Sequence, residues 1–236
     1  MSLSALDGIY CGPPPAATNW LAHWNFDVWL LAALLALVLL ARRQRSGLAA
    51  VAVLVLAFVS PLCAASSALF SARVVHHVLL IAVAAPLLAR CLPGQPRGAA
   101  AVALALATVV LWLWHLPVAY DWALSNKAAY WLMQLSLLST ALWFWQHVFA
   151  AQRSPVQALT LITAGFAQMG LLGALLTFAP QPLYAAHALA PYGWGLTPLL
   201  DQQLAGILMW VPAGLPYALI AGGVGRRGWV GLRNHG

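Results

Sequence analysis

The chain has 236 residues, of which 63% are hydrophobic and only 6% charged. Soluble domains carry roughly 25% charged residues, so this composition excludes a soluble globular domain, a disordered tail and a nucleic-acid-binding module. The net charge of +7 comes from 11 Lys and Arg set against 4 acidic residues, the kind of basic excess that an inner-membrane protein collects in its cytoplasmic loops.

Seven hydrophobic segments follow in chain order: Trp24–Ala41, Leu48–Phe70, Val74–Leu92, Gly98–Leu116, Ala128–Phe149, Val156–Phe178 and Leu200–Ile220. Each approaches the roughly 20 apolar residues that cross a bilayer as a helix. The runs are continuous and Leu/Ala-rich, not alternating, which disfavours a membrane β-barrel. Pro61 in the second and Pro86 in the third are expected to kink their helices, which neighbours in a membrane bundle tolerate by re-satisfying the freed carbonyls. The predicted fold is all-α: a polytopic bundle of about seven transmembrane helices forming one integral-membrane domain over 1–236. A short outer tail covers 1–22 and a short cytoplasmic tail covers 222–236. The first residues lack a basic start and an apolar run, so no cleaved signal peptide is expected.

Charge sets the predicted orientation. Arg42, Arg43, Arg45, Arg90, Arg97, Arg153, Arg226, Arg227 and Arg233 all fall on one side of a seven-span chain. Arg73 and Lys127 alone fall on the other. The positive-inside rule then puts the N-terminus outside and the C-terminus in the cytoplasm. All the acids are aspartates (Asp7, Asp27, Asp121, Asp201), and all fall on the outer side. With no Glu in the chain, a His-Glu-x-x-His zinc helix and a di-iron bundle are excluded. No inverted pair of broken helices is visible, which argues against an inverted-repeat transporter.

Ionisable residues near a membrane span are costly and therefore functional candidates. Three spans bring such residues to one thin outer layer, His76 and His77 from the third, His115 from the fourth and Asp201 from the seventh, with His23 and Asp27 at the first span and Cys63 in the second as secondary candidates. His76 lies about two residues inside its predicted span, roughly 3 Å at 1.5 Å per residue. Imidazole suits copper, zinc and iron, an aspartate can ligate or orient a histidine, and a thiol at Cys63 or the thioether of Met209 would favour Cu(I). His23 and Asp27, four apart, would share a helical face. His76 and His77 differ in direction by about 100° on a helix, so one is expected to point into the bundle and the other elsewhere. Each has an ordinary reading beside this one. Histidines at an interface bond carbonyls, and Asp201 sits where the seventh helix needs an N-cap. His147, at a span end, and His235, in the tail, are expected at the surface, and His187 lies in the long outer loop. Cys11, Cys63 and Cys91 are too scattered for a disulfide framework, and Cys11 reads as a free thiol, a metal contact or neither. Gly165, Gly170, Gly173 and Gly206 are expected to allow close helix packing.

An ordered series of motifs runs through the chain. It opens with Tyr10-Cys11-Gly12-Pro13-Pro14-Pro15 and Trp24-Asn25-Phe26-Asp27. His76-His77-Val78-Leu79-Leu80, Trp114-His115-Leu116-Pro117 with Tyr120-Asp121, and Leu175-Leu176-Thr177-Phe178 with Pro182-Leu183-Tyr184 follow. It closes with Asp201-Gln202-Gln203-Leu204-Ala205-Gly206-Ile207-Leu208-Met209-Trp210. The series resembles the CtaG-like family of assembly factors for caa-type cytochrome c oxidase. The resemblance implies a multi-pass bacterial inner-membrane protein, not an enzyme, that helps mature a haem-copper oxidase. It further implies copper as cargo, oxidase subunits as partners and a periplasmic copper donor. The chain departs from the family pattern in span 5, where Tyr130 and Gln134 stand in place of two histidines four apart. Three other readings compete. One is a haem-binding membrane protein with His76 or His77 and His115 as axial ligands. Another is a metal-free scaffold for oxidase subunits. The third, a membrane enzyme, lacks a nucleophile motif such as Gly-x-Ser-x-Gly.

Overall fold

The computed structural model describes residues 9–92 and 96–233, and among these every regular element is helical. The helices are α1 (Val28–Ala41), α2 (Arg45–Phe58), α3 (Leu62–Ala68), α4 (Phe70–Val78), α5 (Ala85–Cys91), α6 (Ala100–Leu113), α7 (Pro117–Ser125), α8 (Lys127–Phe149), α9 (Pro155–Phe178), α10 (Pro198–Trp210) and α11 (Gly214–Arg233). Asp7 and His235 lie outside the described residues. Each of the seven hydrophobic segments coincides with a helix or helix pair. By length and apolarity, three helices suffice to cross a membrane: Phe70–Cys91, Pro155–Phe178 and Pro198–Val230. Two bent pairs, α2 with α3 (44°) and α6 with α7 (74°), raise the number to five. At 14 residues, α1 spans about 21 Å at 1.5 Å per residue, short of a hydrocarbon core about 30 Å thick.

The bundle is organised around Phe70–Cys91, whose apolar stretch is 67% buried, against 33% for Pro155–Phe178. It packs against α2, α8 and α10, while α9 carries α10 and α11 on its flank. The outer helices show their apolar side chains to the surroundings, as Trp29, Leu35 and Leu40 do on α1. Such an apolar exterior suits lipid and not water.

The two prolines act differently: a bend accompanies Pro61, whereas Pro86 lies within the continuous helical stretch Phe70–Cys91. Pro61 stands in the α2–α3 bend, where Ser60 Oγ donates to Leu56 O. Pro86 follows a π-helical turn, Leu79–Ala84, in which Ala85 N–H donates to Leu80 O. In that register the next donor would be the amide of residue 86, aimed at Ile81 O, but proline has none. Trp145 Nε1 donates to Ile81 O instead (2.9 Å). The indole is fully buried, so a neighbouring helix satisfies the carbonyl that proline orphans.

One boundary differs from expectation in a way that matters for the site. The second span was expected to run to Phe70, with the third beginning at Val74. The chain instead breaks at Leu69, which is extended (φ −119°, ψ 132°), and a new helix starts at Phe70. His76 therefore lies six residues into its helix, about 9 Å deep at 1.5 Å per residue, not two residues in.

The tightest helix contact joins α9 to α10. A Cβ built on Gly206 would lie 2.5 Å from Gly173 O and 2.7 Å from Thr177 N, and would meet Thr177 Oγ1 as well. Because these atoms are mostly backbone, the helices would have to separate. Gly206→Ala is expected to destabilise the protein by about 1–3 kcal/mol. Gly222→Ala, where nothing lies within 4 Å, should be neutral or slightly stabilising. Thermal unfolding of the two variants in the same detergent checks this, and equal midpoints would refute close packing as the reason for Gly206.

Candidate functional site

The site begins with Asp201 on α10, fully buried. Its carboxylate accepts from Phe70 N (2.6 Å), Ser71 N (3.1 Å) and Ser71 Oγ (2.5 Å). It is therefore an N-cap, but for α4 and not for its own helix, whose cap is Thr197, accepting from Leu200 N. Ionised acceptors are the strong kind of helix cap, because the first amides of a helix carry partial positive charge. With both carboxylate oxygens so engaged, Asp201 positions the histidine helix.

From that start, α4 delivers Arg73, His76 and His77 to the interior, each at most 1% exposed. His77 and His115 face each other with ring centroids 6.1 Å apart, and His76 lies 5.8 Å from His77. His115 follows α6, and its Nδ1 donates to Leu111 O (2.7 Å). A carbonyl accepts only, so the proton sits on Nδ1 and the Nε2 lone pair is left bare. That Nε2, both ring nitrogens of His76 and both of His77 are buried without a hydrogen-bond partner. Contrary to the expected division of the adjacent pair, both rings are buried and neither finds a partner; their planes are 59° apart, and His76 stands edge-on to Phe58 (4.7 Å).

Several residues that the sequence reading left aside complete the layer. Arg73 is buried with Nε and Nη1 unpartnered, its guanidinium 5.2 Å from the Tyr130 ring centroid. Gln134, one turn along α8 from Tyr130, is buried with its whole amide unpartnered. Tyr130 thus meets the layer through Arg73, whereas Gln134 borders an apolar cavity with Trp29, Leu54 and Phe58. Phe70 stacks on Tyr184 (4.2 Å), and Tyr184 Oη donates to His115 O (2.9 Å). Asp121 holds the loop over the site by accepting from Ala185 N and Ala186 N. Gln202 does the same by accepting from Leu183 N.

His187 is buried in that loop, not exposed. Its Nδ1 donates to Ala68 O (3.1 Å), and its Nε2 accepts from Tyr120 Oη (2.7 Å). Burial first, and the Arg73 charge in addition, push its pKa down to about 3 against the opposing pull of the Ala68 carbonyl.

The secondary candidates separate from the layer. His23 ends a single 3-10 turn, Trp20–Ala22, and α1 starts only at Val28, where Asp27 caps it by accepting from Leu30 N (2.8 Å). His23 and Asp27 therefore share no helical face. Cys63 is bonded to Cys11 in a disulfide, with Cα atoms 5.3 Å apart across 52 residues of sequence. Neither offers a thiolate while that bond stands, and one cross-link exists where no disulfide framework was expected. Cys91 remains a buried free thiol. His147 is also buried, beside Trp143, contrary to its expected surface position. Among the described residues, no three His, Cys or Asp side chains form a group that could hold a metal ion. The layer therefore supplies bare imidazole nitrogens in a buried setting without a closed coordination shell.

Two outcomes are expected. Asp201→Asn turns an amide N–H2 towards backbone N–H donors and should cost about 1–3 kcal/mol. Hydrogen exchange should show the loss first at Phe70–Arg73, and unchanged protection there would refute the cap. For His187, the depressed native pKa means that only the unfolded chain takes up a proton between pH 6.5 and about 3. Its stabilising contribution is therefore complete above pH 6.5 and lost as the pH falls. It should shrink by about 2 kcal/mol between pH 7.5 and 5. Exchange rates of the 180–195 loop should rise accordingly at pH 5, and His187→Gln should remove that dependence.

The family model described as cytochrome c oxidase caa3 assembly factor matches residues 39–229. No curated protein and no solved structure matches the chain. The chain belongs to the caa3 oxidase assembly-factor family.

Proposed function

We propose that this member of the caa3 assembly-factor family assists copper insertion into a haem-copper oxidase from the outer face of a bacterial inner membrane, without catalysing a reaction of its own. Copper is cargo in this reading. The observation that carries it is His115, whose Nδ1–H is held by Leu111 O and whose Nε2 lone pair is buried and unpartnered. Metal-ligating histidines are typically arranged in this way, with one ring nitrogen anchored on a carbonyl to fix the tautomer and the other left for the ion.

His77 is the nearest imidazole to His115 and His76 the next, while Asp201 keeps their helix in register. An incomplete shell suits transfer, since a donor or client can supply the remaining ligands as the ion passes. Exposed apolar helix faces offer oxidase subunits a packing surface within the bilayer. The orientation has support from charge: Arg90, Arg153 and Arg227 line one cavity at the far end of the bundle. Asp27, Asp121 and Asp201 serve the end that holds the histidines.

His115→Ala and His77→Ala are each expected to weaken copper binding to the purified protein by about 10-fold or more. In cells they should lower oxidase activity and oxidase copper content while the protein's own level is unchanged. Fully copper-loaded oxidase in both variants would remove the metal role and leave a scaffold for subunits. A Soret band in protein purified after haem-replete expression would favour haem ligation instead.

A further inference from the structure

The end of the bundle opposite the histidines holds a second polar feature, independent of the copper reading. A cavity of about 720 Å³ opens between α5, α8, α9 and α11. Arg90, Arg153 and Arg227 line it together, and no carboxylate does. The chain has no Glu, and the described aspartates are engaged elsewhere, as caps on α1 and α4 and as anchor of the 185–186 loop. Two of the three guanidiniums are oriented by backbone carbonyls. Arg153 Nε donates to His147 O (2.7 Å) and Arg227 Nε to Gly223 O (3.3 Å), which turns the Nη edges of both forks to other partners. Arg90 is braced over the Phe149 ring, 4.7 Å from its centroid. Pro155, the first residue of α9, also borders the cavity, so the positive end of a 24-residue helix adds to the field.

We propose that this cavity binds the phosphate headgroup of an anionic phospholipid. Three cations lining one cavity with no acid among them favour an anion there, and guanidinium forks match phosphate oxygens two at a time. Apart from Gln146, the side chains of the remaining wall are apolar, with Leu92, Phe149 and Val224 among the lining. A free phosphate would gain nothing from such a wall, whereas a lipid would run its acyl chains along it. Basic pockets between membrane helices are a recurrent form of headgroup site. A lipid seated there ties α5 to α9 and α11, and so stabilises the end of the bundle that lacks the loop and disulfide clamps of the other.

The test uses the full chain, delipidated in a neutral detergent, with tetraoleoyl cardiolipin, dioleoyl phosphatidylcholine and inorganic phosphate as probes. Native mass spectrometry should show cardiolipin retained at least ten-fold more strongly than phosphatidylcholine, and cardiolipin should raise the unfolding temperature. The combined Arg90→Gln, Arg153→Gln, Arg227→Gln variant should lose that preference, while Arg42→Gln, Arg43→Gln keeps it. Should the triple variant fail to fold, salt titration of the unaltered protein decides: cardiolipin retention must fall as ionic strength rises. Equal retention of both lipids, or retention insensitive to salt, overturns the proposal. Millimolar inorganic phosphate that reproduces the whole thermal shift also overturns it, by assigning the site to free phosphate.

Discussion

The grip of the Asp201 carboxylate on the first amides of α4 is the interaction on which the rest of the site depends. A helix that starts at Phe70 places Arg73, His76 and His77 inside the bundle; the same residues continued from α3 would follow a different axis. The neighbouring side chain, Gln202, reaches Leu183 N and the carbonyls of Leu176 and Gln181, and Gly206 lets α10 lie against α9. One stretch of α10 thus fixes the histidine helix, the covering loop and the packing of α9. It is also the most specific of the family motifs in the chain. Its residue types follow from this: a carboxylate for two amides, an amide for a mixed set of donors and acceptors, and a glycine where backbones touch.

The interior so built is unusual for an apolar bundle. A buried polar group without a partner costs about 1–3 kcal/mol. Here five imidazole nitrogens of three neighbouring rings and part of the Arg73 guanidinium lie unpartnered. At Pro86 such a cost is met, by the Trp145 bond to the carbonyl that proline orphans. The neighbouring rings of His76, His77 and His115 hold five of these bare nitrogens, a local concentration that an ion or another molecule could use.

The helices were legible because each hydrophobic run is long and continuous, and the closeness of His76, His77 and His115 was legible because all three are ionisable groups near predicted span ends. The break at Leu69 was not, because the cap that causes it lies 131 residues away in sequence. The late start of α1 had a local signal, since Asp27 immediately precedes an apolar run in the position of an N-cap. Arg73 had one too: it stood out as a lone arginine on the wrong side of the charge count, and its spacing from His77 puts both on one helical face. The burial of His187 and His147 and the pairing of Cys11 with Cys63 depend on tertiary contacts that no local pattern encodes.

That sulfur bridge fastens the N-terminal tail to the start of α3, where Tyr10 stacks on Tyr130 and Asn25 bonds Phe58 O. Sulfur chemistry is compartment-specific: bridges last where the medium is oxidising and are reduced in the cytosol. The bridged pair sits by the histidines, whereas the unbridged Cys91 closes α5, its sulfur packed beside Gly47 near the cluster of Arg42, Arg43 and Arg45. The three cysteines thus divide along the bundle, with the bridged pair at the imidazole end and the free thiol near the arginines that follow α1.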